Sequence, residues 1–532
     1  MLMKILEKII SRMAPGHKSQ DPHQKREPVP ICPDPRNNEA YILKAYGNSG
    51  DVVVRRLKLA SGLEVLVAHI DGLVDHRILS ANIVARITDE SDVGLRSPGE
   101  AHRVLKDRLL TACQVWETDD MTELLRAMTW GSCIVIIEGR STGLYSNVVE
   151  HKERAVEEPG TEASIRGSKE GFNENLRTNT SLLRRRVRDP RLWIEERSLG
   201  NLSRTRVALI YIKTLVREEV VQEIRSRLDG VEIDSIQESG QLEELIEDAP
   251  YSPFPTVLRS ERLDRAVGAL FEGRAVLIID GTPFVLLAPI TFFTFLSAAE
   301  DYFERWHAGT VLRGFRLAVF ITSLILPSLY VAITTFHQEL LPTILLVRLA
   351  AQREGVPFPA AVEAVLMEAF FEVLREAGVR LPRIVGPAIS IVGVLILGET
   401  AVQAGLVSSA LIIVVAMTAI ASFATPGFSL AISARLLRFP LVLLAGTLGL
   451  FGIYWGLFAL LIHLVSLRSL GVPYLEPMAP TVLSGLKDTL VRAPWWKMDA
   501  QPELIAQDEE RVPPGARPEP PGKRPPEGEK KT

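Results

Sequence analysis

Cysteine is scarce: Cys32, Cys113 and Cys133 stand far apart and without C-x-x-C spacing. That excludes a disulfide framework or a cysteine metal knuckle and reads as reduced structural thiols facing a cytosol. A basic excess is also missing, since 60 Lys and Arg stand against 64 Asp and Glu for a formal net charge of −4. Such a balance argues against a nucleic-acid binder. There is no P-loop, no G-x-G-x-x-G after a strand, no H-E-x-x-H and no G-x-S-x-G, so the commonest phosphate, dinucleotide, zinc and serine-nucleophile chemistries have no motif to carry them. The nine histidines are scattered. No catalytic residue, metal set or cofactor site is expected, and the chain reads as a non-enzyme. The opening MLMKILEKIISRM is broken by Lys4, Glu7 and Lys8 and does not read as a signal peptide.

Long apolar runs are confined to one half. Residues 1–270 mix charged and apolar groups as soluble domains do, whereas the runs lengthen beyond Leu312. Leu317–Phe336 is uncharged and long enough to cross a bilayer. Thr400–Ala434 and Pro440–Leu467 carry no charge, and the runs around Ile384–Gly398 and Thr400–Thr425 meet at Glu399. About four crossings are expected, with one more candidate near Pro283–Leu296. The last run holds Gly446, Gly449, Gly452 and Gly456, which permit close helix contacts, and Tyr454 and Trp455, which suit an interface. His463 in that run reads as a packing or hydrogen-bonding residue.

The soluble half contains a duplication. Leu63–Val74 (LEVLVAHIDGLV) matches Thr205–Val216 (TRVALIYIKTLV), and Gly131–Gly139 (GSCIVIIEG) matches Gly273–Gly281 (GRAVLIIDG), both at an offset of 142 residues. Two segments at one offset indicate a repeated α/β unit. Each first segment suits a strand, Val220, Val221, Ile224 and Leu228 share one face of a helix over Glu218–Leu228, and the EG and DG endings suit turns with positive φ. Arg184, Arg185, Arg186, Arg188 and Arg191 form a dense basic stretch at the start of the second copy. An interdomain ion-pair network, an acidic partner or anionic headgroups would use it, and a solvated helix face is the plainer and favoured reading.

The expected organisation is a flexible leader (1–40), α/β subdomain 1 (41–150), a polar linker (151–168), α/β subdomain 2 (169–282) and an interfacial connector (283–312). An α-helical membrane domain (313–470), a post-membrane segment (471–497) and a disordered, proline-rich tail (498–532) follow.

Five long motifs in fixed order carry a resemblance. They are EGFNENLRTNTSLLRRRVRDPRL from Glu170, EDAPYSPFPTVLRSERLDR from Glu247 and DGTPFVLLAPITFFTFLSAAEDYFERW from Asp280. HQELLPTILLVRLAAQREGVPFPAAVEAVLMEAFFEVLREAGVRLP from His337 and GPAISIVGVLILGETAVQAGLVSSALIIVVA from Gly386 complete the set. Over roughly residues 45–497 the chain resembles the A subunits of the GerA family of spore-germination nutrient receptors. Leu263 departs from the pattern, where a proline is expected. The resemblance implies an integral protein of the inner spore membrane with its N-terminal domain facing the spore core. It implies a multispanning B-type subunit that binds the nutrient, a C-type lipoprotein subunit, membrane lipids and no nucleic acid as partners. It also implies a homo-oligomeric ring, expected to be a pentamer, that conducts ions. Sporulation paralogues share this architecture, so the resemblance does not fix the stimulus.

Within the membrane half, Glu399 poses a physical problem. An ionised carboxylate at a helix centre costs about 2.5–3.5 kcal/mol on insertion scales, so it should not face lipid. Gln403 lies one turn on, and Ser390 and Gly398 flank the region. In a ring, Glu399 would repeat around the axis as a cation-selecting device. The alternative is that Glu399 caps a helix end near headgroups. A second stretch, Pro357–Pro382, reads as a helix starting after Pro359 and stopping at Gly378. Val362, Leu366, Ala369, Phe370 and Val373 form its apolar stripe, with Glu368, Glu372, Arg375 and Glu376 on another face and Glu363 one turn earlier. It suits an interface, a protein-lined vestibule or an ordinary packing helix. Arg305, Arg313 and Arg316 before the first run favour a cytoplasmic N-terminal half, while Arg348, Arg353, Arg375, Arg380 and Arg383 after it oppose the positive-inside tendency. A re-entrant arrangement would relieve that conflict. Three functions remain: a channel-forming receptor subunit, a non-conducting scaffold or coupling subunit, and a secondary transporter. The last is disfavoured because the repeat lies in the soluble half.

Overall fold

The β-branched runs of the N-terminal half pair as antiparallel strands. A computed structural model describes residues 28–59, 61–88, 97–110, 114–149, 162, 166–380, 398–489, 491–498 and 501–507. Among the described residues, the first five-stranded sheet holds β1 (Val52–Lys58), β2 (Glu64–Ile70), β3 (Val115–Thr118), β4 (Ser132–Ile137) and β5 (Gly143–Asn147) in the order β1-β2-β4-β5-β3. The second holds β6 (Leu192–Leu199), β7 (Thr205–Ile212), β8 (Leu258–Ser260), β9 (Ala275–Ile279) and β10 (Val285–Ala288) in the order β6-β7-β9-β10-β8. The two orders are the same strand for strand.

The duplication extends to helices and turns. Helix α1 (Pro35–Ala45) precedes the first sheet and α2 (Met121–Thr129) follows β3; α3 (Leu176–Arg186), α4 (Glu218–Asp229) and α5 (Leu263–Phe271) belong to the second unit. α5 lies 142 residues after α2. Asn38 in α1 accepts from the Cys32 N–H at 3.0 Å and donates to the Cys32 carbonyl at 2.6 Å; Asn179 in α3 does the same with Asn173 at 2.9 and 2.6 Å. One buried amide thus pins the entry loop in each copy. Gly139 and Gly281 adopt φ of 77° and 98°, the left-handed turn expected from the EG and DG pairs. Leu263 is the first residue of α5, a position that accepts proline and leucine alike.

Strands β4 and β9 are buried along their whole lengths because apolar layers cover both sheet faces. In the first sheet Val65, Val67, Val135 and Ile137 face one layer, while Leu66, Ala68, Ile134 and Ile136 face α2. This explains why these strands read as unbroken hydrophobic runs. The second unit runs past the expected boundary at 282, since β10 pairs with both β9 and β8. The extra crossing considered near Pro283–Leu296 is therefore this strand plus a short buried helix, Phe292–Leu296, whose rings enter the second unit's core.

A buried ion pair joins the two units. Arg184 Nε and Nη2 donate to the two oxygens of Asp51 at 2.8 and 2.9 Å, and Nη1 donates to the Leu192 carbonyl at 2.7 Å. Its side chain is 0% exposed, against 1% for Asp51. The favoured reading of a solvated basic face fails here, because the guanidinium is consumed by a carboxylate 133 positions away.

The second unit is completed by the end of the chain. In the first unit Val74 bridges to Val149, two residues past β5; at the equivalent place Val216 bridges to Ala506. Gly131 approaches Leu73 O and Val149, and its counterpart Gly273 approaches Leu215 O and Ala506. After β10 the chain leaves for the helical region, so the place that residues 148–149 fill in unit one is filled in unit two by residues that return from beyond it. Gln507 N donates to Leu215 O at 2.8 Å, and Ile505 and Ala506 are buried. The tail expected to be disordered from 498 is thus packed at 501–507.

The helical region comprises α6 (Trp306–Thr335), α7 (Thr343–Arg353), α8 (Ala360–Arg380), α9 (Ser409–Phe423), α10 (Phe428–Leu448) and α11 (Leu450–Ser466). Among the described residues, α6 and α10 are long and apolar enough to cross a membrane; α9 and α11 are shorter apolar helices. The expected run Pro440–Leu467 is divided at Gly449, whose φ of 62° turns the chain between α10 and α11. A Cβ at Gly452 would lie 2.2 Å from Leu444 O, so that glycine permits the tight hairpin. α6 packs against α8, α9, α10 and α11.

Two stability measurements follow. Asp51→Asn or Arg184→Met alone should cost about 3–5 kcal/mol by stranding a buried charge. The pair Asp51→Asn with Arg184→Met should cost less than the sum of the two single changes, read by denaturant unfolding of the full chain. Ile505→Ala should cost about 2–5 kcal/mol and speed amide exchange in β7 and β9 while leaving β2 and β4 unchanged. Uniform exchange across both sheets would contradict the tail's assignment to unit two.

Candidate functional site

Helix α8 is turned inside out. Its apolar stripe (Val362, Leu366, Ala369, Phe370, Val373) is exposed, with Val373 at 66%. Two of its acids point inward, Glu363 at 0% exposed and Glu368 at 2%, while Glu376 is exposed. An apolar face turned outward is stable only against lipid or another protein surface. The helix continues through Gly378 to Arg380 rather than stopping there.

Each inward acid meets a partner. Glu363 Oε1 accepts from Ser408 N at 2.5 Å and Ser408 Oγ at 2.7 Å, while Ser408 caps α9 and contacts the Tyr330 hydroxyl at 3.0 Å. Arg353 Nε lies 3.9 Å from the other Glu363 oxygen. Glu368 Oε2 accepts from Arg438 Nη1 at 3.0 Å, with Arg438 also buried. Glu372 accepts from Arg375 Nη2 at 2.6 Å and lies 3.7 Å from Arg435 Nη1. The result is a ladder of charge between α8 and α10. Small residues let the two helices meet, since a Cβ on Gly446 would lie 2.4 Å from Ala361 Cβ.

The ladder is under-satisfied. Among the described residues, Glu368 Oε1 and Arg438 Nε and Nη2 are buried without hydrogen-bond partners. Buried ionic atoms left unpaired are costly.

The expected residues are only partly brought together. Glu363, Glu368 and Glu372 share the seam. Glu399 and Gln403 do not join it; in a helical stretch at 398–403 Gln403 Nε2 donates to Glu399 Oε1 at 3.2 Å, both exposed in the single chain. Ser390 lies outside the described residues. The basic stretch is spent on the chain itself: Arg186 pairs with Glu170, Arg188 lies 3.7 Å over the Trp130 ring and donates to the Arg185 carbonyl, and Arg191 grips Asp189 and Thr214. Arg435 and Arg438 were missed because the charge-free runs ended at Ala434 and resumed at Pro440. Two arginines three apart opposite acids four apart were the available signal.

The near end of the helices is clamped to the second unit. Buried Asp301 accepts from Arg313 Nε at 3.2 Å and Arg316 Nη1 at 2.7 Å, and Arg313 and Tyr302 both reach Asp488. Ser433 Oγ donates to Pro253 O at 2.5 Å, and His463 Nε2 lies 2.8 Å from Ser252 Oγ. Burial pushes the Glu476 carboxyl up; that group receives the Leu504 N–H at 3.3 Å and so touches the returning tail. α8 runs back toward this end, where Arg375 and Arg316 line one cavity, so Arg375 does not lie with Arg348 and Arg353 at the far end.

Arg438→Met alone should cost about 3–5 kcal/mol by stranding Glu368. Combining it with Glu368→Leu should recover most of that loss in thermal unfolding of the detergent-solubilised chain. No recovery would contradict the pairing.

The Bacillus/Clostridium GerA spore germination protein family matches residues 40–504. Spore germination protein KA of Bacillus subtilis (strain 168) is 43% identical over 500 residues, covering 93% of this chain and 91% of the relative. Spore germination protein GerLA of Bacillus cereus is 36% identical over 477 residues, covering 90% and 96%. The crystal structure of the N-terminal domain of the A subunit of the Bacillus megaterium spore germinant receptor GerK3 is 32% identical, covers 50% of this chain and 99% of its own, and aligns with a TM-score of 0.41. With the family matched across most of its length, the chain belongs to the GerA family of spore germination proteins.

Proposed function

We propose that this chain is the membrane subunit of a spore nutrient germinant receptor and forms, with copies of itself, a cation-conducting channel. In this reading it sits in the inner spore membrane with its two α/β units facing the spore core. It works with a B-type nutrient-binding subunit and a C-type lipoprotein, and a pentameric ring opens when nutrient is sensed.

The inverted helix α8 carries the reading. Its exposed Val362, Leu366, Phe370 and Val373 call for lipid or a neighbouring copy, while Glu363 and Glu368 are held inside. Around a ring axis, Glu399 and Gln403 would repeat as a polar girdle, and a ring of carboxylates favours cations. The under-satisfied Glu368–Arg438 pair supplies an element that can re-sort between two states, because a second arrangement that pairs the free Arg438 nitrogens would offset the cost of breaking the first. One observation favours a non-conducting coupling subunit instead: Glu363 and Glu368 are closed off from solvent within the single chain.

Flux separates the two. The purified oligomer with its partner subunits, reconstituted in liposomes, should pass monovalent cations on nutrient addition. Glu399→Gln should weaken the preference for cations over anions without altering oligomer size. Absence of flux would favour the coupling role, and unchanged selectivity would remove Glu399 from the pore.

A further inference from the structure

The chain enters α10 through Thr425, Pro426 and Gly427. Gly427 sits at the N-cap and offers no side-chain oxygen to the first turn. Such a terminus presents N–H groups and the positive end of the helix dipole. A terminus alone is not a site. Here two buried side chains beside it also carry an atom with no hydrogen-bond partner among the described residues: Oγ1 of Thr425, 7% exposed, and Nη1 of Arg435, 6% exposed. Arg435 Nε donates to Ala431 O at 3.1 Å, and Glu372 at 3.7 Å is too far from Nη1 for a hydrogen bond.

Thr425, Phe428 and Arg435 line one cavity of about 360 Å³ between the second α/β unit and the helices. Four more arginines form its wall: Arg262 pairs with Asp264, Arg265 with Glu162, Arg316 with Asp301 and Arg375 with Glu372. Glu300 also lines it. The paired arginines keep the wall close to neutral, and the unspent donors are the Arg435 nitrogen, the Thr425 hydroxyl and the first helical turn. Phe423 and Phe428, both exposed, flank the same cavity.

We propose that this cavity is a binding site for a phosphate-bearing anion, held by Arg435, Thr425 and the N-terminus of α10. A tetrahedral oxyanion offers acceptors to all three donor groups at once, whereas a planar carboxylate is best matched by a single guanidinium fork. The cavity is walled by α8 through Arg375, by α10 through Arg435 and by the second unit through Arg262 and Arg265, so a ligand there would sit at the junction of the second unit and the helices. This holds whether or not the chain conducts ions.

The test uses the full chain in nanodiscs of neutral phosphatidylcholine, with inorganic phosphate titrated against chloride at equal ionic strength, and in parallel nanodiscs containing phosphatidylglycerol. A saturable rise in unfolding temperature with phosphate identifies a soluble ligand. A rise confined to phosphatidylglycerol, with that lipid retained in native mass spectra, identifies a lipid headgroup. Either effect should weaken about tenfold or more in Arg435→Gln and in Thr425→Val, which removes the hydroxyl and leaves every ion pair intact. Equal responses of wild type and Thr425→Val in both arms, or no response of wild type to either probe, would overturn the site.

Discussion

The helical half depends on charge kept out of hydrocarbon. Glu363 and Glu368 carry carboxylates into a region whose surrounding helices are apolar, and an isolated charge there would cost several kcal/mol. The chain resolves this by rotating α8 so that its acids face Ser408, Arg438 and Arg435, at the expense of turning Val362, Leu366, Phe370 and Val373 outward. A soluble protein would reject that exposure. Membrane association and the demand for an apolar neighbour thus follow from the same rotation.

The soluble half is tied to the helices by topology as well as by contacts. The second α/β unit has the helical region inserted between β10 and the segment that fills its last position, so the chain leaves and re-enters the same unit. The Asp301–Arg313–Arg316 cluster, the Ser433 and His463 contacts, and the returning Ile505–Ala506 all lie at this junction. α6, α10 and α11 all contact the second unit, and the first unit is joined to it through the Asp51–Arg184 pair. That order of connection gives a physical route from one half to the other.

Much of the soluble fold was legible because strands advertise themselves locally. The two segment pairs at the 142-residue offset hold β2 with β7 and β4 with β9, and the glycines ending two of those segments take the turn conformation their sequence demands. Arg184 was not legible, because a basic run looks solvated until its partner at position 51 is brought beside it. The seam was half legible. The acids of α8 stood out, but the charge-free runs stopped at Ala434 and resumed at Pro440, on either side of Arg435 and Arg438, whereas buried pairing lets charge continue inside α10. The returning tail was hidden by its proline-rich neighbourhood; only the empty place at Gly273 and Leu215 gives residues 501–507 somewhere to go.

The orientation of α8 in the assembled protein is the most direct point of attack. Single nitroxide labels at Leu366, Phe370 and Val373, and at Ala364 and Glu368 on the other face, can be read in bilayers by relaxation with oxygen and with a water-soluble nickel chelate. The expected result is that the first three are shielded from nickel, being either oxygen-accessible or immobilised against a protein surface, while labels at Ala364 and Glu368 are immobile and reached by neither agent. Nickel access at Leu366, Phe370 and Val373 would contradict the outward apolar face and, with it, the inward ladder of charge.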